Sequence, residues 1–360
     1  MMSNRNMKKL GFIYLMLIIF LVCPLSVYAA GKLTVKPKLS ASWKSDDNFY
    51  KAENVEREVY TYLIQPGIQI GYQSPKSLIT FDYTLDSHNY DDQDPVPTGE
   101  QSADNGDYTG HKALFNLKTK PTSRFTFGLQ NNYIGSRDPG NSDAFNNSVD
   151  RDKYAINTFT PSVLYDLGSK FAAGLRFRYT DTDYDKTTRE DSTEIRPIFD
   201  LVYNFNKTTS LDLEWQYWER DYDLTTSDYE SVQTKLILKK KYKYFSLEAG
   251  AGYHYRDFED PTLEGIDLFT YRFALIGQGH AVAGGIPKSN IAIVAESNLN
   301  DSGSADAYFV ATKFTVTAGR VFMSKIPVTL SGKYQNSDYE RTIGLMPANT
   351  LAIRDDDLYA

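Results

Sequence analysis

The sequence predicts an all-β fold, a transmembrane antiparallel up-and-down β-barrel of about 16 strands when complete. Three observations support this prediction. Segments such as LDLEWQY, residues 211–217, place apolar and charged residues at alternate positions. The 360 residues include 27 Tyr and 20 Phe, although the mean hydropathy is −0.45. Short and long connections between such segments alternate along the chain, which is typical of bacterial outer-membrane barrels.

The first 29 residues have the layout of a secretory signal peptide. A basic start, NRNMKK, precedes the apolar run LGFIYLMLIIFLVCPLSV, and Val27 and Ala29 are the small residues before an expected cleavage after Ala29. An N-terminal membrane anchor is the alternative interpretation. Residues 30–360 are then expected to form a single barrel domain in the outer membrane of a Gram-negative cell. Removal of 1–29 also removes Cys23, the only cysteine, so the mature chain has no thiol chemistry.

Cleavage would make the chain more acidic. It leaves 36 Lys and Arg against 46 Asp and Glu, a formal net charge of −10. An acidic exported chain is a poor candidate for nucleic-acid binding.

Fifteen segments have the length and alternation of membrane-crossing strands, each long enough for the roughly 9–11 residues that a tilted strand needs. Barrels made from one chain prefer an even number of strands. The final IRDDDLYA, residues 353–360, resembles the opening of another strand, so we expect a sixteenth strand that is truncated. A smaller complete barrel with an unusual terminus is the alternative. The expected strands are 33–43, 58–73, 78–90, 109–120, 124–135, 154–167, 171–184, 193–205, 210–222, 230–242, 245–257, 266–279, 290–299, 306–320 and 327–339.

The connections differ in length and chemistry. Short ones contain Pro, Gly, Asn or Lys, which suit tight hairpins. Longer, acidic ones follow strands that end in an acidic-aromatic-acidic pattern such as RDYD at 220–223. The short connections are 74–77, 120–123, 167–170, 206–210 and 241–244, and the longer ones are about 91–109, 136–152, 185–192, 223–230, 257–265 and 340–355.

Alternation also predicts which face of the sheet each residue occupies. A lipid-facing Arg or Lys at mid-membrane costs about 2–4 kcal/mol, so the charged positions should face an aqueous lumen. The outward residues are expected to be Ile79, Phe81, Tyr83, Leu85, Leu175, Phe177, Tyr179, Phe199, Leu201, Tyr203, Leu211, Leu213, Trp215, Tyr217, Phe269, Tyr271 and Phe273. The pore-lining residues are expected to be Asp82, Lys112, Lys118, Arg176, Arg178, Glu194, Arg196, Asp200, Asp212, Glu214, Lys235, Glu248, His254, Arg256 and Arg272.

Three prolines fall inside expected strands. Pro66, Pro161 and Pro197 each remove a ladder hydrogen-bond donor. In a barrel without free edges, we expect them to mark β-bulges or strand starts.

Catalytic, metal and cofactor sites are not predicted. The four histidines have no metal-ligand spacing, and no GxSxG or cysteine nucleophile is present. Asp212 and Glu214 could act as an acid and base on a glycoside, but two carboxylates at i and i+2 of one strand more often form part of a charged wall. The acidic stretches 91–94 and 354–357 could hold a hard cation weakly, yet neither has EF-hand spacing.

The segment SASWKSDDNFYKAENVEREVYTYLIQPGIQIGYQ, residues 40–73, has a recognisable pattern. An opening strand, an Asp-Asp-Asn-aromatic turn and a second strand with an internal Pro-Gly resemble the β-barrel porin-2 group. The resemblance runs from about residue 33 to the end. It implies an outer-membrane barrel of the kind often associated with exopolysaccharide systems, and it carries over no catalytic residue.

Three functions follow as hypotheses. The first is a porin-like channel for polar solutes, or a barrel associated with polysaccharide export, whose lumen charges set selectivity. The second is a structural or adhesive barrel with a plugged lumen and partner-binding loops. The third is a barrel hydrolase acting on surface glycan or lipid. The expected partners are outer-membrane lipid and lipopolysaccharide, together with a polysaccharide or small polar solutes.

Overall fold

A computed structural model of the chain describes most of the mature sequence. The described residues are 31–47, 49, 57–97, 102–137, 152–185, 190–224, 226–279, 289–301, 307–323, 326–341 and 355–359. The expected signal peptide, 1–29, lies outside them. Within these ranges, no helix is long and apolar enough to span a bilayer.

Sixteen strands make up almost all of the described structure. They are rich in alternating Tyr, Phe, Leu, Ile, Val and Thr, the residues that pack well on a pleated surface. The strands are β1 Lys32–Asp46, β2 Val59–Gln73, β3 Ser77–Asp92, β4 Tyr108–Thr119, β5 Phe125–Ser136, β6 Tyr154–Asp166, β7 Phe171–Tyr184, β8 Ser192–Asn206, β9 Thr209–Tyr222, β10 Tyr229–Lys241, β11 Phe245–Phe258, β12 Ile266–Gln278, β13 Ser289–Asp301, β14 Ala307–Phe322, β15 Ile326–Arg341 and β16 Asp355–Tyr359.

The strands form one antiparallel sheet in which each pairs with its neighbours in the chain, from β1 to β16 in order. This up-and-down topology confirms the predicted fold class, and the fifteen long strands match the predicted segments to within three residues at either end. Within the described ranges no backbone pairing joins β1 to β16, so closure of the barrel stays a prediction.

The sheet curls toward one face. Neighbouring strands lie about 4.8 Å apart, so β10 and β13 would be about 14 Å apart in a flat sheet. The Lys235 ammonium on β10 nevertheless donates to the Asn298 side-chain oxygen on β13 at 3.2 Å. This contact requires the face that carries Lys235 to be concave.

Short and long connections lie at opposite rims of the sheet, as the sequence predicts. The connections after β2, β6 and β8 are tight, and backbone bonds such as Ser74 N–H to Ser77 O, 2.8 Å, close them. A single turn of 3₁₀ helix, Ala103–Gly106, lies in the long connection after β3. It helps to enclose a small apolar core of Phe49, Val59, Tyr90 and Ala103 at that rim.

The expectation for the three prolines was wrong. Pro66, Pro161 and Pro197 lie inside β2, β6 and β8, and each pairs normally with the preceding strand. Toward the following strand, the ladder has a gap of two residues on each side and then resumes in the same register. The backbone N–H that each proline lacks would therefore have pointed toward the following strand. The gap in that ladder accommodates its loss, and no extra residue is inserted as in a β-bulge. The register shift between β8 and β9 lies instead at Asn204/Asn206.

The connection after β6 depends on one glycine. Gly168 has φ +150°, a conformation that L side chains rarely adopt. We expect Gly168→Ala to lower the free energy of unfolding by about 1–2 kcal/mol, measured by urea unfolding in detergent micelles. Gly71→Ala is the matched control, because a Cβ there would meet no atom closer than 4.0 Å and the backbone is not left-handed. Equal effects of the two substitutions would contradict this account.

Candidate functional site

The charged, concave face of the sheet is the candidate functional site. Residues that lie directly opposite each other on paired strands share a face, so the register assigns every position. Asp82 lies opposite Leu114 on β4, Lys112 opposite Thr84, and pairings continue strand by strand to β12. All the residues expected in the lumen therefore lie on one face: Asp82, Lys112, Lys118, Arg176, Arg178, Glu194, Arg196, Asp200, Asp212, Glu214, Lys235, Glu248, His254, Arg256 and Arg272.

The opposite face is aromatic and aliphatic, and much of it is exposed. Leu175 is 56% exposed and Phe269 is 64% exposed, which is unusual for such side chains unless lipid covers them. Trp215 lies opposite Phe199 on this face, and both rings are exposed. The residues predicted to point outward share this face throughout.

Ion pairs on the concave face centre on Arg176. Its guanidinium donates to both carboxylate oxygens of Asp200 at 3.0 and 2.9 Å, and to Glu214 at 2.8 Å. The second oxygen of Glu214 accepts a bond from Gln216 at 2.6 Å. Asp200 and Glu214 are directly opposed on β8 and β9, so Arg176 screens two carboxylates that would otherwise repel each other.

A second set of pairs extends the wall toward β12. Lys239 contacts Asp212 at 2.5 Å, so Asp212 and Glu214 are both neutralised by cations. Arg272 bridges Glu248 at 3.1 Å and Glu296 at 2.6 Å. A cavity of about 490 Å³ lies along this wall, and its lining includes four basic and four acidic side chains: Arg176, Lys235, Lys239, Arg272, Asp200, Asp212, Glu214 and Glu248.

The edge toward β1 carries fewer pairs. Lys112 contacts the buried Asp86 at 2.8 Å, and Lys38 pairs with Asp82. Gln65 also donates to Asp86 at 2.8 Å. These contacts place the predicted Asp82 and Lys112 in one polar strip on the same concave face.

Near the long-connection rim, the concave face is filled by a buried layer of Trp218, Tyr229, His254 and Arg256, each at most 4% exposed. The Trp218 and His254 rings are 4.8 Å apart. The Arg256 guanidinium lies 3.8 Å from the centre of the Tyr229 ring, and Arg196 lies 4.2 Å from that of Trp218. This layer, called here the aromatic-cation layer, narrows the space beside the sheet.

The prediction from sequence omitted part of this layer. Gln216, Trp218 and Arg220 continue the alternation that placed Asp212 and Glu214 on the charged face, so the signal was present. Trp218 was omitted because a tryptophan in a barrel strand is ordinarily assigned to the lipid-facing aromatic girdle.

In the described part of the chain, no group of three or more His, Cys, Asp or Glu that could hold a metal is found. In the 91–94 stretch, Asp92 binds Arg57, Ser102 and Ala103 instead. Residues 280 and 354, which hold the fourth histidine and the first residue of the terminal acidic stretch, lie outside the described ranges.

Asp92 is the most tightly bound carboxylate at the long-connection rim. It accepts bonds from Arg57 at 2.5 Å, Ser102 at 2.9 Å and the Ala103 N–H at 2.6 Å. Burial alone would raise its pKa, but these three donors outweigh burial and hold the pKa of Asp92 below its ordinary value of 3.8. The contribution of Asp92 to stability is therefore present above about pH 3.8 and is lost as the pH falls through the lower folded-state pKa.

Asp92→Asn leaves the buried Arg57 without its carboxylate. We expect a loss of about 3 kcal/mol in unfolding free energy at pH 7. We also expect a weaker dependence on pH below 4, because the titrating group is gone. Urea unfolding at pH 7 and at pH 3 measures both. Asp91→Asn is the control, since Asp91 is exposed and its side chain, among the described residues, accepts a hydrogen bond from Gln93 alone. Equal losses of unfolding free energy in the two variants would contradict a stabilising role for the Arg57–Asp92 pair.

Comparisons with known proteins give the following. No family model matches the chain, and no curated protein matches it. Among solved structures, the chain is similar to Acinetobacter baumannii OccAB3 at 9% identity and a TM-score of 0.39, with 92% of this chain and 98% of that chain covered. It is also similar to A. baumannii OccAB4, at 9% identity and a TM-score of 0.41, with 88% of this chain and 95% of that chain covered. A third similar structure is the outer membrane protein OpdK of Pseudomonas aeruginosa, at 9% identity and a TM-score of 0.39, with 88% of this chain and 95% of that chain covered.

Proposed function

We propose that this chain is a non-enzymatic, porin-like channel of the outer membrane that admits small polar solutes. The observation that carries the proposal is the separation of chemistry between the two faces of one curved sheet. Ion pairs and amides occupy the concave face, and exposed Leu, Phe, Tyr and Trp occupy the convex face. A charged concave surface needs water, and an exposed aromatic convex surface needs lipid.

The strand lengths support a membrane location. Each of the fifteen long strands has 12–16 residues, more than the roughly 9–11 needed to cross the hydrocarbon. Residues 1–29 would direct export, and outer-membrane lipid and lipopolysaccharide would surround the convex face. Export of a polysaccharide rests on the resemblance to the β-barrel porin-2 group alone, and the cavity of about 490 Å³ along the concave face favours small solutes.

The ion pairs would set the selectivity. Arg176, Asp200 and Glu214 hold one another in fixed positions through hydrogen bonds. The wall of the lumen therefore carries fixed positive and negative charges side by side. Removing one member would leave an uncompensated charge facing the lumen and would shift the preference for cations or anions.

A second candidate function is a plugged barrel that acts through its loops. The aromatic-cation layer favours it, because Trp218, His254 and Arg256 leave little space near the long-connection rim. Conductance distinguishes the two candidates directly.

We expect discrete conductance steps from the purified full-length mature chain in planar bilayers, and larger steps from Trp218→Ala. The indole of Trp218 fills lumen space, whereas Trp215 lies on the convex face. Trp215→Ala is therefore the matched control and should leave the conductance unchanged. Absence of current from both wild type and Trp218→Ala would contradict an open channel and favour the plugged barrel.

A further inference from the structure

A second cavity, of about 800 Å³, lies along the concave face between β3 and β9. Unlike the charge-balanced cavity beside β12, this one is predominantly cationic. Five basic side chains line it, against the lining carboxylates Glu194 and Asp200: Lys118, Arg176, Arg178, Arg196 and Arg220.

Three of the five cations contact carboxylates. Arg176 is neutralised by Asp200 and Glu214. Arg196 and Arg220 both contact Glu194, at 2.9 and 3.6 Å.

Arg178 and Lys118 make no ion pair within the described part of the chain. Arg178 lies directly opposite Arg196 on the neighbouring strand. Like charges in directly opposed positions destabilise a sheet, and the nearby carboxylates Glu194 and Glu214 attract Arg178 without forming an ion pair with it. A half-buried guanidinium held in this position is suited to an anion that comes from outside the chain.

The two strands between Lys118 on β4 and Arg178 on β7 carry neutral hydrogen-bonding groups. Thr160 and Ser162 on β6, and Gln130 and Asn132 on β5, line the same cavity. Their side chains make no hydrogen bond to the described parts of the protein. Hydroxyls and amides in this state can both donate to and accept from the hydroxyl groups of a solute.

We propose that this cavity binds a hydroxylated anion of the acidic-sugar class. Arg178 and Lys118 would bind the anionic group, and Thr160, Ser162, Gln130 and Asn132 would bind the ring hydroxyls. The proposal deepens the proposed channel function and rests on it for its physiological meaning, but binding itself needs only the folded chain. Arg178 and Lys118 could bind either a carboxylate or a phosphate group on the sugar.

Isothermal titration of the full-length mature chain in neutral detergent tests the proposal. The probes are glucuronate, glucose 6-phosphate, glucose and acetate, at 50 mM and 500 mM salt. We expect saturable binding of at least one sugar anion, at least tenfold weaker binding of glucose and of acetate, and loss of affinity at the higher salt. The two sugar anions distinguish a carboxylate ligand from a phosphate ligand.

Arg178→Gln should weaken binding of the sugar anion about tenfold or more, because it removes charge-assisted hydrogen bonds. Lys153→Gln is the control for loss of one positive charge, since Lys153 is exposed at the rim and pairs with Asp185. Arg178→Gln should also keep a stability to urea close to that of wild type, because it removes both the repulsion from Arg196 and the attraction of Glu194 and Glu214. Weaker binding in a variant that is not destabilised separates a binding role from a structural one.

Several results would overturn the proposal: no binding of either sugar anion, equal binding of glucose, equal binding of acetate, or no effect of Arg178→Gln. If the wild-type chain conducts and binds no sugar anion, this inference fails while the channel function stands. If it binds a sugar anion and never conducts, the channel function fails while this site stands.

Discussion

Side chains on an extended strand point alternately to the two faces of its sheet, and in this protein each face tolerates only one kind of chemistry. From β3 to β12, every residue predicted to line the pore lies on the concave face, and the charged residues on the convex face lie toward the ends of the strands. A slip of one residue in any pairing would move a whole set of charges to the convex face. At about 2–4 kcal/mol for each lipid-facing Arg or Lys, the register of the sheet is therefore set by solvation as much as by hydrogen bonding.

Concentrating charge on one face creates a second requirement, since the charges must also be compatible with one another. Along β7 to β12 the solution is pairing: Arg176 joins two carboxylates, and Arg272 joins two more. In the aromatic-cation layer, Arg256 contacts the ring of Tyr229. Arg178 follows neither pattern. A cation that lies opposite another cation and forms no ion pair within the described residues is a position where a binding function is readily found.

Much of this arrangement was predictable from the sequence, because two-residue periodicity reports strand, face and register at once. The fifteen long strands, the two classes of connection and the face of every predicted pore-lining residue required no other information. The local backbone pairing at Pro66, Pro161 and Pro197 was not predictable, since a strand can accommodate a proline either with a β-bulge or with a gap in one hydrogen-bond ladder. The inward position of Trp218 was implied by alternation but concealed by its residue type. Contacts across several strands, such as Lys235 with Asn298, depend on how strongly the sheet curls, which periodicity alone does not contain.

The central claim is that the two faces of each strand meet lipid and water respectively, and spin labelling tests it most directly. Single cysteines placed in turn at residues 211–217 of β9 would carry a nitroxide in lipid vesicles. Collision with oxygen should peak at 211, 213, 215 and 217, and collision with a water-soluble nickel chelate should peak at 212, 214 and 216, exactly out of phase. Accessibilities that rise and fall together, or that show the chelate at the odd positions, would contradict the account.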